Sequence, residues 1–422
     1  MLLQFSVENY LSFKEEQVLS LVPSVDKSHE ENIHVRENNK ALNVVAIYGA
    51  NASGKSNLHK AITVALNMVR LSNSYQVDTK LPVVPFKFSD ETIDKPSKFE
   101  FTFIAKDNKK YIYGFSATKD QITEEHLYRY GSQRPSVIFE RTDCINYKFP
   151  SAQKKELEPI VRWNTPNKLF LSTATMWNAE STKSAYEWLS ESFHSYGNLE
   201  LLRNISLDMF RSDMETKKYI AFTKELLENT DINISNIDIN FKKISDDDFR
   251  MNLIPRIVMN NQQFNSGDNY EFDISTEHTV KEDNKEKRYK LKLQDESLGT
   301  QQLFFFAPIL KDVFDKGAVI FIDELDRSLH PFVVKYLVGL FRDEEINKNG
   351  AQLIATTHDT TLLDLDILRR DQIYFTDKNT DTGVSELYSL SDFSVRKEEN
   401  IEKGYLLGRF GGVPYIKGEI LI

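Results

Sequence analysis

Apolar positions along this chain change period several times, and each change predicts a different kind of element. Residues 2–22 alternate loosely, with Leu3, Phe5 and Val7 followed by Val18, Leu19 and Leu21, which predicts the two strands of a hairpin. Residues 24–40 are polar and charged and read as a loop. Val44–Ile47 is a short unbroken apolar run, the pattern of a strand covered on both faces. Leu58, Ile62, Leu66 and Val69 then recur at helical spacing, until Pro82 and Pro85 break the pattern. Phe99–Phe103 and Tyr111–Phe115 place aromatics at every second position on either side of a polar turn, Lys106–Lys110, and predict a β-hairpin. Shorter strands fit 125–130 and 137–141. The hairpin aromatics could form a platform on which bases stack, or the core of a sheet; β-propensity and burial statistics favour the core.

From 153 to 230 the composition shifts towards Glu, Lys, Leu and Ala, and Ser184–Phe193 and Met214–Asn229 read as helices. No heptads persist there, so no long coiled-coil arm is expected. Alternation returns over Ile232–Ile244. Residues 245–290 are polar, with short strands near 251–259 and 270–275; the charge runs Asp246–Asp248 and Lys281–Arg288 read as solvated loop edges. Leu303–Phe314 reads as an apolar helix, Ala318–Ile322 and Gln352–Thr356 as buried strands, and 372–376 and 386–390 as two more strands. Three domains are expected: an N-terminal lobe over 1–150, a helical insertion over 151–245 and a C-terminal lobe over 246–422.

Composition narrows the class. The chain has 422 residues, 40% of them hydrophobic and 27% charged, which is ordinary for a globular protein. Its net charge of −10 argues against a dedicated nucleic-acid binder, although a local basic groove stays compatible with an acidic whole. A single cysteine, Cys144, excludes an internal disulfide and a cysteine-rich metal site, and fits a reducing cytoplasm. Met1–Glu8 lacks the features of a signal peptide, and the longest apolar run, near Leu303–Leu310, is too short for a membrane span. A cytoplasmic protein with no membrane partner is expected.

The chemistry gathers around four stretches. Gly49–Ala50–Asn51–Ala52–Ser53–Gly54–Lys55–Ser56 has the spacing G-x-x-x-x-G-K-[ST] between a predicted strand and a predicted helix. In that setting backbone N–H groups and the helix N-terminus cradle phosphates, with Asn57 continuing the loop. Lys55 would reach the outer phosphates and Ser56 would offer its hydroxyl to Mg²⁺. Ala318–Ile322 ends in Asp323 and Glu324, an apolar strand followed by two carboxylates; Asp323 would help hold Mg²⁺ and Glu324 would act as general base on water. Both carboxylates reach one site only if the strand stops there, which the Leu325–Asp326 turn and Pro331 at the next helix start suggest. Glu296–Gln302 holds a Ser-x-Gly turn, Ser297 to Gly299, ahead of a helix, an anion-holding arrangement that elsewhere is merely a cap. Of eight histidines, His358 stands out because it follows the Gln352–Thr356 strand, and ligands of α/β sheets bind at such strand ends.

Taken in order, the P-loop, the Ser-x-Gly turn, Asp323–Glu324 with Leu325–Asp326, and the strand-end His358 resemble the ABC-type ATPases. The branch they resemble contains the SMC, RecF and double-strand-break-repair ATPases. Phe5–Glu8, Tyr10–Phe13, Gly49–Asn57, Leu329–His330–Pro331 and Gly408–Pro414 narrow the likeness to the AAA-15/21-type ATPases of bacterial defence. That group includes the RloA and AbiL groups and relatives of the overcoming-lysogenisation-defect ATPases. The motifs cover 1–60 and 295–376; between them the likeness is one of style. The resemblance implies an α/β P-loop NTPase of ABC-ATPase head type, with a mixed sheet, an N-terminal antiparallel β-subdomain and a helical insertion. It implies ATP and Mg²⁺ as ligands, and a homodimer in which each ATP lies between one copy's Gly49–Ser56 and the other's Ser297–Gly299. Asp326 would meet its counterpart across that interface, and Glu324 would hydrolyse ATP only in the dimer.

The sequence departs from the family pattern in three places. The turn reads Ser-Leu-Gly-Thr, Arg327 stands where a small residue is common, and no Mg²⁺-sensing glutamine can be assigned. The function implied is an ATPase controlling an effector, a nuclease or toxin, in anti-phage defence; the alternative is a RecF-like repair clamp that binds DNA. A fused nuclease fits poorly, because the stretch after His358 is shorter than the roughly 100 residues such a compact domain needs. The long insertion argues against a transporter ATPase, and the lack of Asn-Lys-x-Asp argues against a GTPase. The 396–414 stretch suits either a partner-docking segment or a structured tail with Gly408, Gly411 and Gly412 in tight turns.

Overall fold

The computed structural model describes residues 1–131, 134–197, 199–244, 269–282, 285–396 and 399–414. The chain divides into two compact units, Met1–Gly197 with Val313–Ile422, and Asn198–Asp312.

In the first unit the short apolar runs become a six-stranded sheet. Its order is Phe193–Tyr196, Val319–Ile322, Gln352–Thr356, Val44–Gly49, Ile373–Lys378 and Ser385–Ser389; the first five strands are parallel and the last is antiparallel. Every residue of Val44–Gly49, Val319–Ile322 and Gln352–Thr356 is buried, as expected of strands covered on both faces. The register pairs Ile322 with Ala355, Thr356 with Ile47 and Thr376 with Gly49. Four parallel strands therefore end together, and the loops that follow them emerge at one edge.

The edge strand Phe193–Tyr196 corrects the sequence reading, which placed Phe193 at the end of a helix. The helix is Glu180–Glu191, and four residues without an apolar run then pair with Val319–Ile322. So short a strand carries no period of its own; its partner's ladder forms it.

A second, antiparallel sheet of seven strands runs Asn146–Lys148, Pro135–Thr142, Ile122–Tyr130, Lys110–Ala117, Ser97–Ile104, Leu2–Glu8, Gln17–Ser20. Phe99, Phe101, Phe103, Tyr111, Tyr113 and Phe115 are all buried in it, so they are core and not an exposed stacking platform. Phe103 stacks on Trp188 with ring centroids 4.1 Å apart. The helix Lys55–Leu71 turns Leu58, Ala61, Ile62, Ala65, Leu66 and Val69 into the same core. Each fully buried Phe or Leu of this kind contributes about 1.5–3 kcal/mol. The Gln352 side chain ties the sheets together. Its Oε1 accepts from Leu2 N at 2.6 Å, and its Nε2 donates to the Leu2 and Leu42 carbonyls, each at 3.0 Å. Within 24–40, read as loop, Ile33–Arg36 and Asn39–Leu42 form a small hairpin turned by Glu37 in the left-handed region (φ 53°).

The second unit holds the helices Leu199–Ser212 and Lys218–Asn229, and an antiparallel sheet of Asn236–Ile244, Asn269–Glu282 and Lys285–Lys292. The strand expected near 251–259 and the Asp246–Asp248 run lie outside the described residues. The described residues of the Lys281–Arg288 run, read as loop edge, lie on two long strands. Cross-strand ion pairs replace the missing apolar pattern: Arg288 with Glu277 at 3.5 Å, Lys290 with Asp238 at 2.6 Å, and Lys287 with Glu282 at 2.5 Å. Among the described residues no helix is long and apolar enough to cross a membrane.

Candidate nucleotide-binding site

The loop Gly49–Ser56 leaves the central strand Val44–Gly49 at the edge where the parallel strands end, and runs into the helix Lys55–Leu71. The Asn57 and Leu58 amides return to the Gly54 carbonyl at 2.9 and 3.0 Å. The N–H groups of the preceding residues have no acceptor within the helix, which is how a helix start becomes an anion site. Gly49 is required by close approach: a Cβ there would collide with Thr376 and with the Ser53 hydroxyl. That hydroxyl is itself 2.5 Å from Thr376 Oγ1, so the neighbouring strand holds the loop. Asn57 Nδ2 donates to Ser12 Oγ at 2.7 Å, which brings the Tyr10–Phe13 turn to the same loop.

Lys55 is buried, and its Nζ donates to the Gly49 and Ala50 carbonyls at 2.7 and 3.1 Å. Burial lowers its pKa, while the charges of Asp323, Glu324 and Asp326 oppose that shift. The structure thus brings the lysine of one motif within electrostatic reach of the carboxylates of another, more than 250 residues later in the chain.

The strand Val319–Ile322 ends one residue before Asp323, as the sequence required. The alternation of faces breaks at Glu324, whose φ of 57° lies in the left-handed region, uncommon for a residue with a side chain. Thr356, fully buried at the end of the neighbouring strand, fixes this geometry. Its Oγ1 accepts from Glu324 N at 2.7 Å and donates to Asp323 Oδ1 at 2.6 Å, and its carbonyl takes Leu325 N at 3.0 Å. Asp326 accepts from the His358 backbone N–H at 3.2 Å through both carboxylate oxygens, which joins the two loops. The His358 ring is exposed beside them, as is Glu324. An aligned lysine, two carboxylates and a histidine at the rim of a glycine loop can bind a polyphosphate and direct water at it.

Beneath this surface lies His59, one turn after Lys55. Its ring meets Phe321 edge-on at 5.0 Å and its Nε2 is 2.9 Å from Ser195 Oγ, which in turn contacts Thr63 Oγ1 at 2.7 Å. Burial lowers its pKa, with the Asp323 charge opposing. Sequence reading missed His59, Thr356 and Thr376. His59 falls on a face that periodicity assigns to packing, and a threonine ending an apolar strand carries no signal until its neighbour strand is known.

Ser297 and Gly299 lie in the other unit. The helix there begins at Leu298, not at Leu303, and Ser297 is its N-cap: its Oγ accepts from Thr300 N at 3.1 Å. Ser297 and Leu298 are exposed. A cavity of about 640 Å³ in this unit, against Arg203, Phe241, Phe272, Lys292 and Phe305, contains none of the predicted residues.

A sequence model of one protein family matches residues 44–364, most of the chain, and takes in Gly49–Asn57, Ser297–Gly299, Asp323–Glu324 and His358. The chain belongs to this family, AAA_21, described as "AAA domain, putative AbiEii toxin, Type IV TA system". No curated protein matches the sequence. Among solved structures, this AAA_21 chain is similar to an Smc head bound to the C-terminal winged-helix domain of ScpA. That match has 13% identity, covers 92% of this chain and 97% of the other, and has a TM-score of 0.42. An Smc head with an extended coiled coil, from Pyrococcus furiosus, matches at 12% identity over 97% and 98% of the two chains, with a TM-score of 0.40. The recombination mediator RecF matches at 16% identity over 92% and 98%, with a TM-score of 0.36.

Proposed function

We propose that this chain is an ATP-binding and hydrolysing ATPase of ABC type. It closes as a dimer around ATP and controls an associated effector, a nuclease or toxin, in bacterial anti-phage defence. The observation that carries the reading is that the Gly49–Ser56 loop, the Asp323–Glu324 turn and His358 all emerge at the edge where four parallel strands end. Membership of a family described by an AAA domain and a toxin–antitoxin system supports a role as a switch on a toxic partner.

The residues present suit the ligands. Gly49–Asn57 would wrap the phosphates, Lys55 would exchange its two carbonyl partners for phosphate oxygens, and Ser56 with Asp323 would hold Mg²⁺. The bound ATP supplies the phosphoanhydride that is cleaved. Glu324, exposed and held by its backbone to Thr356, takes the proton of the attacking water, and His358 orients that water or the terminal phosphate. The exposed Ser297–Gly299 turn of a second copy completes the site.

Glu324→Gln tests the assignment. Turnover is expected to fall by about 10²–10⁴-fold, the usual contribution of a general base, while MgATP still binds and the dimer is stabilised in size-exclusion chromatography. Unchanged turnover removes Glu324 from the chemistry. A wild-type protein that binds no MgATP overturns the reading as a whole, and a Ser297→Arg dimer with normal turnover removes the composite site.

A further inference from the structure

The sequence allows 396–414 as either a docking segment or a structured tail, and residues 399–414 pack as a structured tail. The short helix Ile401–Leu406 is capped by Asn400, whose Oδ1 accepts from Lys403 N at 2.7 Å. The chain then turns through Gly408, Gly411 and Gly412, all with positive φ. Ile401, Tyr405 and Phe410 are buried. Phe375, on the strand beside Val44–Gly49, lies nearly parallel to the Tyr405 ring at 5.5 Å and to the Phe410 ring at 5.8 Å. Tyr48, the residue before the first P-loop glycine, meets Tyr405 edge-on at 5.8 Å. The segment is therefore a strap laid over the root of the phosphate loop.

Three polar ties make this more than packing. The Tyr405 hydroxyl donates to the Gly412 carbonyl at 3.0 Å. One tyrosine thus holds the turn of the strap through its hydroxyl and packs on Tyr48, the neighbour of the first loop glycine, through its ring. Gly412 lies directly over that glycine: a Cβ on it would come within 3.3 Å of the Thr376 carbonyl and 3.5 Å of Gly49 Cα. At the other end of the helix, Glu402 Oε1 accepts from Thr360 Oγ1 at 2.6 Å, two residues past His358. Tyr48 closes the circuit, its hydroxyl donating to the Asp359 carbonyl at 3.1 Å.

We infer that the 400–412 strap is a positioning element of the nucleotide site, with Tyr405 and Gly412 fixing the Gly49 end of the phosphate loop and Glu402 fixing the His358 turn. None of the three would touch the nucleotide. They act by holding two catalytic loops in one frame, so whatever displaces the strap loosens phosphate binding and water orientation together. The inference rests on the ATPase reading for its functional consequence, but its structural core does not.

Tyr405→Phe in the full chain is the test, because it removes one oxygen and keeps the ring stack. Without nucleotide, hydrogen–deuterium exchange of the Gly49–Ser56 amides is expected to speed up about 3- to 10-fold, the effect of losing one hydrogen bond. The helix Lys55–Leu71 beyond its first turn should exchange as in wild type. MgATP affinity, by calorimetry, should weaken by a similar factor. Gly412→Ala should act in the same direction, and Glu402→Ala, which removes the acceptor of the Thr360 hydroxyl, should lower kcat more than it raises KM. Unchanged exchange at Gly49–Ser56 in both Tyr405→Phe and Gly412→Ala overturns the strap's role, whatever the nucleotide data show. Faster exchange in a protein that never binds MgATP keeps the strap and removes the ATPase reading.

Discussion

Two groups of charged side chains sit inside the first unit, and they differ in how completely they are satisfied. Glu125 and Arg141 are fully buried and 3.6 Å apart. Glu125 accepts from Phe170 N at 2.6 Å, Leu171 N at 2.9 Å and the Tyr113 hydroxyl at 3.0 Å. Arg141 donates to the carbonyls of Cys144, Lys168 and Pro166. Six hydrogen bonds to the surrounding chain hold the pair, which pins the helix Phe170–Met176 to the seven-stranded sheet. Lys55, Asp323 and Glu324 are the opposite. Among the described residues Lys55 Nζ is held by two backbone carbonyls that phosphate oxygens could replace, and Glu324 is exposed on a left-handed backbone. Burial of charge marks a structural role in the first group; incomplete pairing at an open rim is what the proposed nucleotide chemistry needs in the second.

The contrast breaks most visibly if the buried pair is cut. Arg141→Ala leaves Glu125 buried without its counter-charge, and about 3–5 kcal/mol of stability should be lost in urea unfolding. MgATP affinity measured well below the transition should be unaltered; a change there would mean that the two groups are coupled.

Thr356→Val is next in size. It is nearly isosteric but strips the partner of both Glu324 N and Asp323, so about 1–3 kcal/mol of stability is expected to go with it. Mg²⁺-dependent turnover should fall more than ATP affinity, because the lost contact orients carboxylates and leaves the phosphate loop alone. Equal losses in the two would make Thr356 a packing residue.

The smallest effect lies at acid pH. The Asp26 carboxyl is held down at about 2: burial alone would raise it, and hydrogen bonds from Ser28 and Arg370, with the Arg370 charge, outweigh that. A carboxyl that is lower in the folded protein stabilises it above the ordinary value of 3.8, and that contribution disappears as the pH falls towards 2. Asp26→Asn should therefore flatten the acid limb of a stability–pH curve between those values and leave neutral pH turnover untouched. Glu125 moves the other way, since burial raises its pKa against Arg141 and three hydrogen bonds. An unchanged acid limb in Asp26→Asn would assign that limb to other groups.

What could be read from the residues follows from locality. The P-loop spacing, the buried strands 44–47, 318–322 and 352–356, and the aromatic hairpin each write their pattern within about ten residues, where backbone sterics and side-chain period act. The Ser-x-Gly turn was equally visible, although its helix begins five residues sooner than apolar pattern alone suggested, because the cap and not the first phenylalanine sets the start. The Lys285–Lys292 strand was hidden for the converse reason: alternating charges say loop until a facing strand offers the opposite charges.

The sequence by itself determined that a phosphate loop, a carboxylate pair and a strand-end histidine exist, because each is a short motif whose chemistry needs only its neighbours. The tertiary structure decided that they meet. Parallel register stops four strands at one edge, Thr356 fixes the Asp323–Glu324 turn, and Gly412 is laid back from late in the chain over Gly49. Those are contacts between residues hundreds of positions apart, and no local period encodes them; hydrogen bonding and close packing between strands do.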